Sequence, residues 1–145
     1  MARILVTRQM TVPHHAVWGV LANLGTHARW MGDIRSMVFI SEQTHGVGTR
    51  MRVETRVGPF RTVDVLEVVG WDEGRSIDVT HHGVVTGVGT LSAIPTADGT
   101  LVTWDETLRF PWWLGGGVTS WLARPVLAAV WRANLRRLEE LLGSA

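Results

Sequence analysis

The chain of 145 residues contains no cysteine, no lysine and no tyrosine. The absence of cysteine excludes disulfides, thiol nucleophiles and zinc–thiolate sites, and it fits a reducing compartment. The absence of lysine excludes Schiff-base chemistry and a phosphate-binding lysine loop. Without tyrosine, the large aromatic side chains that carry a hydrogen-bond donor are the eight tryptophans.

Long hydrophobic runs and a strong net charge are also lacking. The most apolar stretch, residues 110–130, is interrupted by Arg124, Pro125 and three glycines, which disfavours a membrane-spanning helix. The N-terminal residues lack the apolar segment of a secretory signal, so we expect a cytoplasmic location. The formal charge is only +1 and the arginines are scattered along the chain, so we expect no nucleic-acid binding.

Length and composition predict a single globular domain over residues 1–145. Apolar residues make up 46% of the chain and charged residues 19%, which is typical of a protein with one core. We find no repeat, linker or low-complexity segment that would divide the chain.

The first third of the chain predicts one strand followed by two short helices. Residues 4–10 alternate as a strand, and Pro13 is suited to the first turn of a helix. Thr11 is the predicted N-cap of this helix, and Gly25 its predicted end. Residues 26–31 predict a second short helix.

From Ile34 onward the hydrophobic period changes to two, which predicts six strands. The clearest is Arg50–Val57, with one polar and one apolar face, and the last is Leu101–Phe110. The short loops between these strands allow only antiparallel pairing. A cluster of glycines at 83, 87 and 89 marks where we expect bends or bulges.

Residues 118–142 are compatible with a long amphipathic helix, except at Pro125. The proline predicts either a kink just before it or a fresh start at it. Leu127, Trp131 and Asn134 share one face of this helix with Leu138 and Leu141, opposite a charged face. The apolar face of the sheet needs a cover, and this helix is the one element long enough to provide it. The fold class is therefore α+β.

Several stretches, in this order, resemble a known family. They are residues 12–18 leading to Trp30 and Met31, then residues 46–49, 67–72, 99–104 and 131–138. Together they resemble the polyketide cyclase/dehydrase and lipid-transport branch of the SRPBCC superfamily, which shares its helix-grip fold with START-type lipid-transfer domains and birch-pollen-type allergens. The resemblance covers nearly the whole chain.

The resemblance implies a curved antiparallel sheet of about seven strands wrapped around the C-terminal helix, with a cavity between them. Family members bind lipids, polyketides or other apolar ligands, and they include carriers, sensors and enzymes. No universal catalytic motif exists to carry over. The cavity is expected beneath Trp104 and Trp131, and the predicted ligand contacts are Trp30, Met51, Val53, Trp104, Glu106, Leu108, Trp112, Trp121, Trp131 and Asn134.

Polar residues in apolar positions have two interpretations each. Glu106 shares the apolar phase of its strand. It either has a structural explanation, as the internal partner of an arginine or through a bulge that shifts the phase, or it acts on a ligand by orienting a hydroxyl or as an acid or base. Asn134 either binds a ligand carbonyl or links helix to sheet. The adjacent His81 and His82 point to opposite faces of a strand, so one of them can face inward but the pair cannot chelate a metal.

The most unusual local feature is Pro111–Leu114, which contains Trp112 and Trp113 and precedes three glycines. These residues form either a mobile lid or entrance, or an inert plug at the end of the cavity. If exposed, Trp112 and Trp113 would suit peripheral contact with a membrane or a protein partner.

The sequence therefore predicts a domain that binds, transports or senses a hydrophobic small molecule. The alternative is a cofactor-independent cyclase or dehydratase in which Glu106, and an inward histidine, move protons. Neither hypothesis requires a metal or a cofactor, and we predict neither. The oligomeric state is left open.

Overall fold

A computed structural model of the protein describes residues 2–143. It contains seven strands, two α-helices and two 3₁₀ helices. In chain order they are β1 (Ala2–Met10), α1 (His14–Leu21), a 3₁₀ helix (Leu24–Arg29), β2 (Ile34–Phe39), β3 (Arg50–Val57), β4 (Phe60–Asp72), β5 (Ser76–His82), β6 (Thr86–Thr96), β7 (Gly99–Arg109), a 3₁₀ helix (Trp112–Leu114) and α2 (Gly116–Gly143).

The strands form one antiparallel sheet in the order β1-β7-β6-β5-β4-β3-β2. Each of the last six strands pairs with its neighbour in sequence, as short loops require. The long connection from β1 carries the two short helices, and β1 then pairs with β7. The α+β class, the seven strands and the short helices after the first strand are thus confirmed.

Cross-strand partners point to the same side of a sheet, so the register identifies the inner face. Val6, Trp104, Leu91 and Ile77 form one row across β1, β7, β6 and β5. Val6, Trp104 and Ile77 are buried, as is most of the core on this side. The core therefore lies between this inner face and the helices.

The glycine cluster does not produce the expected bulges. The pairing of β6 with β7 is continuous from Thr86 to Thr96, through Gly87 and Gly89. Register shifts occur instead between Ile34 and Ser36 and between Val68 and Gly70. The glycines at 87 and 89 serve another purpose, because they leave room on the inner face.

Helix α2 packs most closely against β1 and β7. It continues through Pro125 without a break, so a fresh start at the proline is wrong. Pro125 and Trp121 are both exposed, and water there can replace the backbone hydrogen bond that proline removes. No helix within residues 2–143 is both long enough and apolar enough to cross a bilayer.

Local turn chemistry differs from two of the predictions. The N-cap of α1 is Pro13 and not Thr11, whose backbone N–H donates to Glu139 Oε2 at 3.0 Å. The second short helix begins at Leu24, two residues earlier than predicted. The corner before α2 is made by Gly115 and Gly116, whose φ angles of 94° and 46° favour glycine.

Candidate functional site

Four aromatic rings form a column between the sheet and the helix. The indoles of Trp104 and Trp131 stack with centroids 4.7 Å apart and planes 5° apart. Trp30 meets the Trp104 ring edge-on at 6.0 Å, and His27 lies 5.1 Å from Trp30. The cavity predicted beneath Trp104 and Trp131 is therefore filled there by their own side chains, because α2 sits directly on β7.

Apolar surface remains accessible farther along the inner face. Leu91 lies beside Trp104 in the register, Val79 beside Gly89, and Leu66 beside His81. All three side chains are only partly buried, although they share the face that carries the core. This accessible area across β4, β5 and β6 is the apolar floor of the candidate site, which we call the floor.

Glu106 lies at the edge of the floor and is only 7% exposed. Its Oε1 accepts a hydrogen bond from Trp104 Nε1 at 3.1 Å and lies 3.2 Å from His81 Nε2. Its partners are thus a histidine and a tryptophan, and not the arginine considered from the sequence. Among the described residues no hydrogen bond to Oε2 is present, so this oxygen is free to meet a ligand.

Glycines in β6 explain how His81 reaches Glu106. The two residues lie on β5 and β7, which are separated by β6 and so by about 10 Å of backbone. Gly87 and Gly89 occupy the positions between them. A Cβ at Gly89 would come within 2.6 Å of Glu106 Cγ, so a side chain there would displace the carboxylate.

The His81–Glu106 contact sets the charge of the histidine. Burial lowers the pKa of His81, but the neighbouring Glu106 carboxylate and, to a lesser degree, Asp64 outweigh it, and the pKa is raised above its usual value. The imidazolium is therefore favoured to higher pH than in a solvated histidine. His81 is the inward member of the histidine pair, while His82 is exposed.

Asp64 adds a second carboxylate that the sequence analysis missed. It is 8% exposed, and its buried Oδ1 has no hydrogen-bond partner among the described residues. Burial raises the pKa of Asp64, while Thr62 and the charge of His81 oppose the increase. The sequence contains the same signal for Asp64 as for Glu106. Asp64 is a carboxylate in the apolar phase of its strand, β4, together with Leu66 and Val68.

Asn134 is used by the protein itself. Its Nδ2 donates to Asp33 Oδ1 at 2.8 Å, and its Oδ1 accepts from the Gly32 backbone N–H at 3.0 Å. Burial raises the pKa of Asp33, and the bond from Asn134 opposes this. The amide thus links α2 to the loop before β2, which leaves little capacity for a ligand carbonyl.

Within residues 2–143, two further buried side-chain polar atoms have no hydrogen-bond partner. They are Trp30 Nε1 and Ser120 Oγ. Ser120 lies on the inner side of α2, in helical spacing with Leu127, Trp131 and Asn134, and that spacing would have identified it. Its hydroxyl is an unsatisfied polar group in the packed interior between α2 and the sheet.

The predicted contact residues separate into two groups. Trp30, Met51, Val53, Trp104, Glu106, Leu108, Trp131 and Asn134 are buried. Trp112 and Trp121 are 86% and 70% exposed and lie outside this group. Trp113 is also exposed, so residues 112–114 do not plug the core.

The floor with its acidic and imidazole groups can do two things. It can hold an apolar molecule and bind one of its oxygens through Glu106 or His81, or it can move a proton between these groups and a bound molecule. Within residues 2–143 no cluster of three or more acidic, histidine or cysteine residues is arranged to hold a metal. Two open surface grooves of about 360 and 490 Å³ are present, and neither is lined by His81 or Glu106.

Solved structures with the same fold are numerous. TTHA0849 from Thermus thermophilus superimposes with a TM-score of 0.84 at 19% identity, covering 98% of this chain and 97% of that one. Ara h 8.0201 matches with a TM-score of 0.73 at 12% identity over 99% and 98% of the two chains. The Zhui aromatase/cyclase from Streptomyces sp. R1128 matches with a TM-score of 0.67 at 20% identity over 98% and 92%.

These likenesses establish the helix-grip fold. No curated protein matches the chain. The model of the family described as polyketide cyclase / dehydrase and lipid transport matches residues 1–143. The chain therefore belongs to the polyketide cyclase/dehydrase and lipid-transport family.

Proposed function

We propose that the protein binds a hydrophobic small molecule on the floor, with an oxygen of the ligand directed at the His81–Glu106 pair. The observation that carries this proposal is the combination of accessible apolar side chains and a buried carboxylate with a free oxygen, on one face of the sheet. Burial of apolar surface supplies affinity, and the few polar groups orient the ligand.

The family supports a hydrophobic ligand in general terms. The chemistry of the site favours a ligand that carries a hydroxyl group. Glu106 offers the unpaired carboxylate oxygen Oε2, which accepts hydrogen bonds, and His81 is a donor when protonated. A cytoplasmic location remains our prediction.

Binding is tested by titrating the purified protein with fatty acids and polycyclic phenols, following tryptophan fluorescence and native mass spectrometry. We expect uptake of one molecule per chain. Leu91→Trp should weaken binding by at least about tenfold, because the larger side chain occupies the floor beside Trp104.

Ile94→Trp is the matched control, since Ile94 lies on the same strand but is exposed on the other face. It should bind as the unmodified protein does. If no compound in the panel binds, or if Leu91→Trp binds normally, the floor is not a ligand site.

A second function is favoured by the contact between His81 and Glu106 itself. A hydrogen-bonded acid and base beside an apolar floor can remove a proton next to a ligand carbonyl and protonate a departing hydroxyl group, as in the dehydration of a β-hydroxyketone. Water is then the leaving product, and no oxidant is consumed.

This activity is tested with a soluble aryl β-hydroxyketone, whose conversion to the conjugated enone changes its ultraviolet absorbance. Glu106→Gln and His81→Gln should each lower the rate by about a hundredfold or more, because each removes a proton-transfer group. Both variants should keep the far-ultraviolet circular dichroism of the original.

His82→Gln is the control for position, because it lies one residue along the same strand and faces away. Its rate should be unchanged. Equal rates for the original protein and Glu106→Gln, or no turnover at all, would leave binding as the function and remove the enzymatic candidate.

A further inference from the structure

The first half of α2 has apolar side chains on its solvent-facing side, where a surface helix normally has polar ones. Val118, Trp121, Leu122 and Val126 recur at helical spacing, and all are at least half exposed. Ser120 and Leu127 occupy the opposite side, which faces the core. The first half of α2 is therefore apolar on both sides, although only one of them is covered.

The preceding 3₁₀ helix extends this surface. Trp112 and Trp113 are strongly exposed, and this short helix contacts the start of α2. We call the whole set the tryptophan patch: Trp112, Trp113, Val118, Trp121, Leu122 and Val126. Monomeric proteins rarely leave so many contiguous large apolar side chains in water without a binding role.

The charged residues close to the patch in sequence are all positive. Residues 107–138 contain five arginines and no aspartate or glutamate. Arg109, Arg124 and Arg132 are exposed, and none of them forms a salt bridge among the described residues. A nearly neutral protein thus has unpaired arginines close in sequence to a group of exposed apolar side chains.

A groove of about 490 Å³ joins the patch to the edge of the sheet. It is lined by Leu5 of β1 and by Trp121, Leu122 and Arg124 of α2. Apolar surface therefore continues from the helix to the sheet, with an arginine at its border.

We propose that the tryptophan patch and its arginines dock the protein on the surface of an anionic lipid bilayer. Indoles prefer the interface between headgroups and acyl chains, and arginines are attracted to anionic headgroups. The three indoles of the patch are strongly exposed, and none of them has a hydrogen bond among the described residues, which fits a fluid lipid surface better than a shaped protein pocket. The role is separate from ligand binding on the floor.

The experiment is flotation with vesicles of phosphatidylcholine alone and of phosphatidylcholine mixed with phosphatidylglycerol. The protein should float with the mixed vesicles, and added salt should reduce binding because it screens the arginines. Trp112→Ala/Trp113→Ala should lower the partition coefficient by about tenfold or more. Arg124→Gln should lower it by about fivefold on mixed vesicles only.

The control is Val38→Ala/Ile40→Ala, which removes two exposed apolar side chains, one in β2 and one directly after it, at the sheet edge opposite β1. It should float as the original does, and circular dichroism should confirm that all variants fold. The proposal is overturned if the original protein does not float with either vesicle, or if the double tryptophan variant floats equally.

A second copy of the chain is the alternative partner for the patch, and a further measurement distinguishes it from a membrane. Analytical ultracentrifugation without lipid shows whether the patch joins two copies. A dimer that Trp112→Ala/Trp113→Ala dissolves would assign the patch to a second copy of the chain and would overturn the lipid proposal. A monomer that binds mixed vesicles supports it. Failure of flotation would leave the fluorescence test of the floor unaffected.

Discussion

His27 illustrates how burial makes a single residue sensitive to pH. Its ring is buried against Trp30, and its Nε2 lies 2.8 Å from the carbonyl oxygen of Leu21. Burial lowers the pKa of His27 to about 4, well below the 6.5 of a solvated histidine, and the bond to Leu21 opposes this only in part. The neutral ring is thus the form that fits the core.

We expect this residue to destabilise the protein in mild acid. Between pH 6.5 and pH 4 the unfolded chain binds the proton more readily than the folded one, so stability falls as the pH falls. From pH 7 to pH 4 the loss attributable to His27 is about 3 kcal/mol. It should be measured as the difference between urea unfolding of the original and of His27→Gln at both pH values. An equal decrease in both proteins would contradict the assignment.

Glycines in and beside β6 also shape the candidate site. Gly83, like Gly89, leaves space that a carboxylate fills, in this case that of Asp64. Sequence reasoning identified these glycines but assigned them to bends. Their role depends on which residues lie across neighbouring strands, which the pattern of a single strand does not specify.

At the scale of elements, Asn134 is the point where α2 is fixed to the rest of the chain. One side chain bonds both the Asp33 carboxylate and the Gly32 backbone N–H, far away in sequence. Helix amphipathicity predicted that Asn134 faces inward but not which polar group it would meet there. Partners from distant loops depend on tertiary packing, which periodicity does not contain.

Asn134→Ala should therefore cost about 2 kcal/mol or more in the free energy of unfolding, because it removes a fully buried amide together with its hydrogen bonds to the half-buried Asp33 carboxylate and to the Gly32 N–H. Arg132→Ala, an exposed change in the same helix, should cost less than about 0.5 kcal/mol. Chemical denaturation measures both. A coupling energy above about 0.5 kcal/mol between Asn134→Ala and Asp33→Ala would identify the bond itself. Additive effects would refute it.

The two halves of α2 differ in what they bury. Trp131, Asn134, Leu135 and Leu138 are buried in the second half, while in the first half the buried residue is Ser120. The sequence predicted the inner face of the second half well, because charged residues mark its opposite side. In the first half both sides are apolar, so the periodicity of the sequence does not indicate which side faces the core.

At the scale of the whole molecule, the order of elements was predictable and the free space was not. Alternation, turn residues and loop lengths determine a seven-stranded antiparallel sheet, and the need to cover its apolar face places the last helix. The position of open volume depends on side-chain packing. Trp104 and Trp131 illustrate this, since both were correctly expected between sheet and helix, yet they fill the space they were expected to line.

The charged residues of the inner face could be predicted only in part, because their grouping also depends on tertiary packing. Glu106 was recognised because a carboxylate in an apolar phase is conspicuous. Its neighbour His81 was named as one of two alternatives, and Asp64 was not recognised. The three residues come from three strands, so the register had to be known before they could be grouped.

The proline within α2 has a mechanical consequence. Because Pro125 supplies no amide hydrogen, the turn containing Trp121 lacks one of the bonds that hold successive turns together. The nine residues before Pro125 bury little, so they can unwind at low energetic cost while the remainder stays docked through Trp131 and Leu138. The second half of the helix is thus held by its buried side chains, whereas the first half, which carries the exposed indole of Trp121, is the part that opens more easily.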